Sequence, residues 1–298
     1  MPVFSKRALT TTEQVTLLQQ RGMQIDQPLH AAACLGQINY YRLGAYWLPF
    51  EADHATHGFR PGTTFEQVLR LYAFDRELRL LILDAIECVE VAVRTRWAYE
   101  MAHRHGAHGY MDAGLAKSRP LWEKNLTTLS TEISRSDEVF IAHYRQRYSQ
   151  PALPPVWVAC EVMSLGLLSR WYAQLGPAAT RQAIAGYFEC DQGQFEGLLV
   201  HLTYLRNICA HHSRIWNRRF TKTMPLPKTK PAGIRKQLNS DADRKLYNSL
   251  TMLLHLMQII APLNPWRQRL CGLLAAHPHI PLLTMGFPPD WERHPLWQ

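Results

Sequence analysis

Residues 65–103 carry the longest helical pattern in the sequence and restrict the fold more than any other segment. Apolar side chains recur there at steps of three and four residues, at Leu78, Leu81, Ala85, Val89 and Ala92. This spacing lines one side of an α-helix and predicts a buried stripe. We predict one long helix and leave open a single break near residues 72–75.

A second stripe of the same segment is polar and contains Asp84, Glu87, Glu90 and Arg94. Glu90 precedes Arg94 by four residues, the favourable order for a pair that contributes about 0.2–0.5 kcal/mol when exposed. We interpret this stripe as a solvated helix face.

The rest of the chain also favours helices, so the predicted fold class is all-α. Thr10 and Glu13 fit a capping box, and Gly22 marks the end of that first helix. Further helices are predicted at 120–134, 137–148, 156–175, 178–188, 192–212 and 240–261. We divide the chain into an N-terminal helical and aromatic module (1–63), a helical domain (64–262) and an irregular tail (263–298).

Composition narrows the class of protein. Hydrophobic residues make up 47%, enough for a large core, and 33 Lys and Arg against 24 Asp and Glu give a net charge of +9. That positive surplus favours an anionic partner, and nucleic acid is the first candidate.

Several features that would place the chain outside the cytosol or in a membrane are lacking in the sequence. The six cysteines contain no C-x-x-C pair, the N-terminus lacks a signal-peptide pattern, and the uncharged stretch 246–266 is too polar to span a membrane. We expect a soluble cytoplasmic protein with no membrane partner.

The most informative stretch is L-R-N-I-C-A-H-H-S-R-I-W-N-R-R at residues 205–219, near the end of a predicted helix. RNA carries an internal nucleophile, the 2′-hydroxyl, and its cleavage needs proton transfer and a cation for the phosphorane. An imidazole and a guanidinium suit these two tasks. Asn207 lies four residues before His211, where its amide can orient the ring or the phosphate.

Helix geometry sets a condition on this site. Arg206 precedes His211 by five residues, which separates them by about 140° on a straight helix. They can share a phosphate only if the helix ends or kinks near His211, or if a second copy supplies one group. The alternative is purely structural, because cations at a helix C-terminus complement its dipole.

Four ordered segments resemble the Abi-like family of abortive-infection proteins, of the AbiD/AbiF type. They are Y-Y-R-L-G-A-Y-W (40–47), F-D-R-E-L-R continuing to I-E-C-V-E-V-A-V-R (74–94), P-V-W-V-A-C-E-V-M-S-L-G (155–166) and R-N-I-C-A-H-H-S-R-I-W-N-R (206–218). The last also resembles the R-x(4–6)-H motif of the HEPN superfamily. The resemblance covers roughly residues 10 to 262, with Leu165 where the family often has Phe.

This resemblance implies a HEPN-like helical bundle with an N-terminal helical extension and a metal-independent endoribonuclease of a phage-defence system. It implies that Arg206, Asn207 and His211 are the catalytic residues. It also implies that RNA cleavage gives a 2′,3′-cyclic phosphate and a 5′-hydroxyl. It also implies a homodimer with a composite site and an RNA partner, either substrate or a small structured regulatory RNA, as in toxin–antitoxin pairs. No cofactor is expected.

Several residues are predicted to contact RNA without taking part in the chemistry. These RNA-binding candidates are Arg42, His212, Arg214, Arg218 and Arg219, together with the basic loop bearing Lys228, Lys230, Arg235 and Lys236. The aromatic cluster Tyr40, Tyr41, Tyr46 and Trp47 can stack bases beside Arg42, but core packing explains it equally well.

Other chemistries have weaker support. His103, His105 and His108 lack a carboxylate at useful spacing, so we favour a flexible basic loop there and predict no metal site. The sequence has no Gly-rich phosphate loop and no recognisable nucleophile motif. Two hypotheses about function remain open. The protein is either an RNA-cleaving defence protein or a non-catalytic RNA-binding protein that holds a small structured RNA. A metal enzyme is a third and weaker hypothesis.

Overall fold

The computed structural model describes residues 3, 5 and 7–298 of the chain. The described part is all-α, with twelve α-helices and one two-stranded hairpin. The helices are α1 (Thr11–Gln20), α2 (Pro28–Gln37), α3 (Tyr40–Trp47), α4 (Phe65–His105), α5 (Arg119–Arg135), α6 (Val139–Arg147), α7 (Val156–Ala159), α8 (Leu165–Gln174), α9 (Ala178–Tyr187), α10 (Gln192–Ala210), α11 (Leu246–Ile260) and α12 (Trp266–Ala276). No helix among the described residues is both long and apolar enough to cross a bilayer.

The chain separates into two compact units. Unit 1 comprises Met1–Arg79 and Ala276–Ile280, and unit 2 comprises Leu80–Ala275 and Pro281–Gln298. The division falls within α4, after Arg79.

Unit 1 begins with the predicted capping box. The Thr10 hydroxyl accepts the Glu13 amide at 3.2 Å, and the Glu13 carboxylate accepts the Thr10 amide at 2.8 Å. After α3 the chain forms an antiparallel hairpin, β1 (Glu51–Asp53) and β2 (Gly58–Phe59), with Glu51 opposite Phe59 and Asp53 opposite Gly58. This short hairpin is the only β structure in named strands among the described residues.

A buried polar triad lies in the core of unit 1 and joins two of the segments that resemble Abi-like proteins. The Tyr46 hydroxyl donates to Asp75 Oδ2 at 2.6 Å, and Arg79 Nη1 donates to the same oxygen at 2.6 Å. All three side chains are buried. Burial, together with the charge of Asp75, raises the pKa of Tyr46. Tyr46 and Trp47 are therefore core residues, whereas Tyr41 is 81% exposed.

The core of unit 2 is built on tryptophans from three helices. Trp122 of α5 packs edge-on against Trp171 of α8, with ring centroids 4.5 Å apart, and Trp97 of α4 lies 6.3 Å from Trp171. Helix α10 packs against α8 and α9. Gly166 of α8 permits a close approach, because a Cβ there would lie 3.3 Å from Thr203 Cγ2 of α10.

Helix α4 confirms the predicted long helix and its buried stripe. The helix runs unbroken from Phe65 to His105, without an interruption near residues 72–75. Four of the five stripe residues are buried, and Ala92 is half-buried. Because the helix continues through His105, the predicted loop at His103–His108 starts later than expected.

Two other predictions are wrong. Residues 156–175 do not form one helix: α7 ends at Ala159, a 3₁₀ turn follows, and α8 begins after Ser164, whose hydroxyl accepts the Leu167 amide at 3.2 Å. The tail predicted to be irregular contains α12, which buries Trp266, Leu270, Leu273 and Leu274. The Trp266 indole also donates to the Leu81 carbonyl at 2.7 Å.

Candidate active site

The predicted catalytic residues lie at the C-terminal end of α10, and all three are exposed. Helix α10 ends at Ala210, and His211 is its C-cap with φ −86° and ψ 12°. The helix therefore ends near His211, which is one of the arrangements that would allow Arg206 and His211 to share a phosphate. Arg206 Nη1 lies 3.5 Å from Asn207 Oδ1, a long contact between neighbouring side chains.

His212 has a structural role that the sequence did not suggest. It adopts φ +56°, in the left-handed region, directly after the C-cap. Its amide donates to the Cys209 carbonyl at 3.0 Å, and the Ser213 amide donates to the Ile208 carbonyl at 3.0 Å. These two bonds form a Schellman motif, in which His212 occupies the position that usually favours glycine.

After this turn the chain runs back along α10. The Thr221 hydroxyl donates to the Tyr204 hydroxyl at 3.1 Å, and His201 Nδ1 lies 3.0 Å from the Lys222 carbonyl. Further along, Pro225 packs on Gly197, where a Cβ would lie only 2.6 Å from Pro225 Cγ. The basic loop is thus fixed along one side of the helix that carries the candidate site.

His201 anchors this arrangement from inside the protein. Its Nε2 lies 2.8 Å from the Ser249 hydroxyl of α11, and the ring is almost fully buried. Burial disfavours the imidazolium form and lowers the pKa of His201 to about 4. His201 therefore stays neutral at cellular pH and serves as a structural residue.

Cations cluster beside the helix end. Partial burial, and then the charges of Arg214 and Arg219, lower the pKa of Lys245. Lys245 donates to Asn217 Oδ1 at 2.9 Å, which holds its ammonium group next to the turn. Arg206, Arg218 and Arg219 form no ion pair with a carboxylate of the described chain. Mutually repelling cations of this kind favour an anion between them.

Tyr204 adds a phenol hydroxyl to the surface at the end of α10. It lies three residues before Asn207 and seven before His211, which places the three on one stripe of the helix. Partial burial alone would raise the pKa of the Tyr204 phenol, but hydrogen bonds from Thr221 and Arg218 lower it. The spacing of Tyr204 was visible in the sequence, whereas nothing in the sequence pointed to Lys245.

The other predicted RNA-binding residues lie in three parts of the chain. Arg214 and Arg218 are half-exposed and Arg219 is exposed, and all three follow the turn after α10. Trp216, which the sequence placed among these arginines, is buried. Arg42 lies exposed on α3 of unit 1. In the basic loop Lys228, Lys230, Arg235 and Lys236 are exposed.

A second polar cluster corrects the interpretation of the polar stripe of α4. Glu90 and Arg94 are largely buried rather than solvated, and they form an ion pair. Arg94 also donates to the Met163 carbonyl at 2.6 Å and lies 3.9 Å from Glu161. Arg94 therefore ties two of the segments that resemble Abi-like proteins together. No group of three or more metal-ligating side chains occurs in the described part of the chain.

These features define an all-α protein with an Arg–Asn–His constellation at a basic helix end. A family model described as Abi-like protein matches residues 33–217, more than half of the chain, and the chain belongs to this family. Membership indicates abortive infection, a form of phage defence. The match includes Arg206, Asn207 and His211 and ends before Arg218. No curated protein and no solved structure matches the chain.

Proposed function

We propose that the chain is an endoribonuclease of an abortive-infection system and that it cleaves RNA at the end of α10. The observation that carries this proposal is the exposure of Arg206, Asn207 and His211 at a helix end that is flanked by cations. Buried side chains cannot reach a nucleic-acid strand, and these three are not buried.

The chemistry follows from the groups present. The ribose 2′-oxygen attacks phosphorus and the P–O5′ bond breaks, which gives a 2′,3′-cyclic phosphate. The His211 imidazole accepts the 2′-hydroxyl proton, and a proton is delivered to the departing 5′-oxygen. The Arg206 guanidinium neutralises the charge that develops on the phosphorane. The Asn207 amide, four residues before His211, orients the imidazole ring or the phosphate.

A second copy of the chain supplies the remaining acid in this proposal. One His211 can accept the first proton, but the same imidazole does not also protonate the leaving oxygen on the opposite side of the phosphorus. A homodimer that brings two α10 ends together provides both an acid and a base. This part of the proposal agrees with the HEPN resemblance.

The test compares single substitutions at the site with exposed controls elsewhere. His211→Ala and Arg206→Ala should each lower the cleavage rate of purified protein by about 10²–10³-fold. Both should still bind RNA, and both should lose growth arrest in cells. Arg135→Ala and His30→Ala, which change exposed residues far along the chain from the motif, should cleave like the wild type.

Two outcomes would contradict the proposal. One is full cleavage by both site variants, and the other is a wild type that cuts no RNA across a panel of substrates. Activity that excess chelator abolishes would favour the metal enzyme instead.

The cation cluster favours a second candidate function, a non-catalytic protein that holds a structured RNA. Arg219 and Lys245 contact phosphates in either case. Arg219→Ala should weaken RNA binding and reduce the salt dependence of the binding constant by about one counterion. Only the absence of cleavage by the wild type, with tight RNA binding retained, selects this alternative.

A further inference from the structure

Unit 2 contains an aromatic groove that the chemistry at α10 does not use. It has a volume of about 810 Å³ and lies between α6, α7 and the loop that joins α4 to α5. Three of the aromatic side chains that line it are exposed, Phe140 at 37%, Tyr148 at 51% and Trp157 at 52%. Exposed apolar surfaces of this kind mark binding sites in soluble proteins.

The charges of the residues around the groove indicate which class of ligand it binds. None of the described residues that line the groove carries a carboxylate, although Asp137 and Glu138 directly precede α6. His143 and Tyr148 also line an adjoining cavity of about 550 Å³, which Arg147 borders. Aromatic faces beside cationic side chains are the combination that binds unpaired nucleotides, because bases stack on the rings while cations contact the phosphates.

The wall of the groove is fixed before any ligand binds. The Tyr144 hydroxyl donates to the Pro151 carbonyl at 2.8 Å, and the Tyr110 hydroxyl donates to the Pro154 carbonyl at 2.5 Å. The Val156 amide donates to the Ala107 carbonyl at 2.8 Å, which fixes the start of α7. A groove held in this way loses little conformational entropy on binding.

The groove is connected to the candidate active site through one short segment. Trp157 belongs to the same family-like segment as Glu161 and Met163, which contact Arg94, and as Gly166, which approaches Thr203 of α10. Thr203 precedes Arg206 by three residues. The exposed Trp157 is the one aromatic side chain of that segment, and core packing does not account for it.

We propose that this groove binds the bases of single-stranded RNA by stacking on Trp157 and Tyr148. The inference rests on the proposed function for the choice of RNA, and it makes unpaired RNA the substrate class. His143 and Arg147 contact the phosphates that flank the stacked bases.

The experiment measures binding in the His211→Ala protein, so that the probe is not cut. The probes are a labelled oligouridine strand and a blunt RNA duplex of equal length. Adding Trp157→Ala or Tyr148→Ala should raise the Kd for the strand about tenfold and the Kd for the duplex less than twofold. Trp157→Phe, which keeps an aromatic face, should retain most of the affinity.

Tyr187→Ala is the matched control, because Tyr187 is 46% exposed and lines a different cavity. It should leave both Kd values unchanged. An unchanged Kd for the strand in Trp157→Ala would overturn the proposal, as would an equal loss for strand and duplex. Binding of a proline-rich peptide that requires Trp157, with RNA binding unaffected, would assign the groove to a protein partner and also overturn it.

These outcomes separate this inference from the proposed function. If the wild type cuts RNA but the groove variants bind strands normally, only the groove assignment fails. If the wild type cuts nothing but strand binding depends on Trp157, only the nuclease proposal fails.

Discussion

Two polar constellations in this chain arise from segments of the same family resemblance but have opposite environments. Tyr46, Asp75 and Arg79 are buried in unit 1, where each satisfies the hydrogen bonds of the others. Arg206, Asn207 and His211 are exposed at the end of α10 in unit 2. The comparison teaches that a motif match alone does not tell which residues stabilise the core, whereas burial does.

The largest expected effect is the loss of stability when the buried triad of unit 1 is broken. Asp75→Ala leaves the buried Arg79 charge without its partner and should lower the free energy of unfolding by about 3–5 kcal/mol. Urea denaturation measures this change. Glu77→Ala, an exposed carboxylate of the same helix, should change it by less than about 0.5 kcal/mol. A small loss in Asp75→Ala would show that the triad is not structural.

The next effect concerns His201, the buried histidine of α10. Because burial lowers the pKa of His201 to about 4, the unfolded chain binds its proton more readily than the folded chain. Its contribution to stability is complete above pH 6.5 and is lost as pH falls from 6.5 to 4, by about 3 kcal/mol.

This loss of stability at low pH is measured by comparing the wild type with His201→Gln. The wild type should lose more stability between pH 6.5 and 4 than His201→Gln, when both are followed by urea denaturation. Identical slopes for the wild type and His201→Gln would contradict the structural role of His201.

A smaller effect tests how the basic loop is held against α10. Gly197→Ala would place a Cβ 2.6 Å from Pro225 Cγ, so the loop must shift, and we expect a loss of about 1–3 kcal/mol. Gly193→Ala in the same helix meets no atom within 4 Å and should stabilise the protein by up to about 1 kcal/mol. Thermal denaturation of both variants compares them. Equal melting temperatures would show that the loop does not pack on Gly197.

The smallest effect concerns His212, which follows the candidate catalytic residues and lies in the turn that ends α10. His212→Gly removes the cost of a left-handed backbone and should raise the free energy of unfolding by about 1 kcal/mol. His212→Ala keeps a Cβ and should give little gain. If His212→Gly is instead less stable than the wild type, the side chain contributes more than its position in the cap.

The sequence predicted much of the fold because helical periodicity is local. It gave the stripe of α4, the bounds of α5 and α9 within two residues, and the end of α10 near His211. It missed α12 because Trp266 and Leu270 follow a run that contains Pro262 and Pro265. It missed the break after α7 because the turn there depends on Ser164 as a cap within a largely apolar segment.

The candidate site was predicted in part for a similar reason. Arg206, Asn207 and His211 lie within six residues, so their common location at one helix end follows from the local sequence. Lys245 reaches the same surface from α11's N-terminal cap, and a contact that distant in sequence leaves no local pattern. The burial of Arg94 depends on the Met163 carbonyl, which lies 69 residues further along the chain.

The most direct test of the account is the chemistry of the RNA ends that purified protein produces. Wild-type protein should leave 2′,3′-cyclic phosphate and 5′-hydroxyl termini, in the presence of excess chelator, because the 2′-oxygen is the nucleophile. Arg206→Ala and His211→Ala should leave the RNA intact over the same time. Fragments with 5′-phosphate and 3′-hydroxyl ends, or unchanged cleavage by His211→Ala, would contradict the assignment of this helix end as the catalytic site.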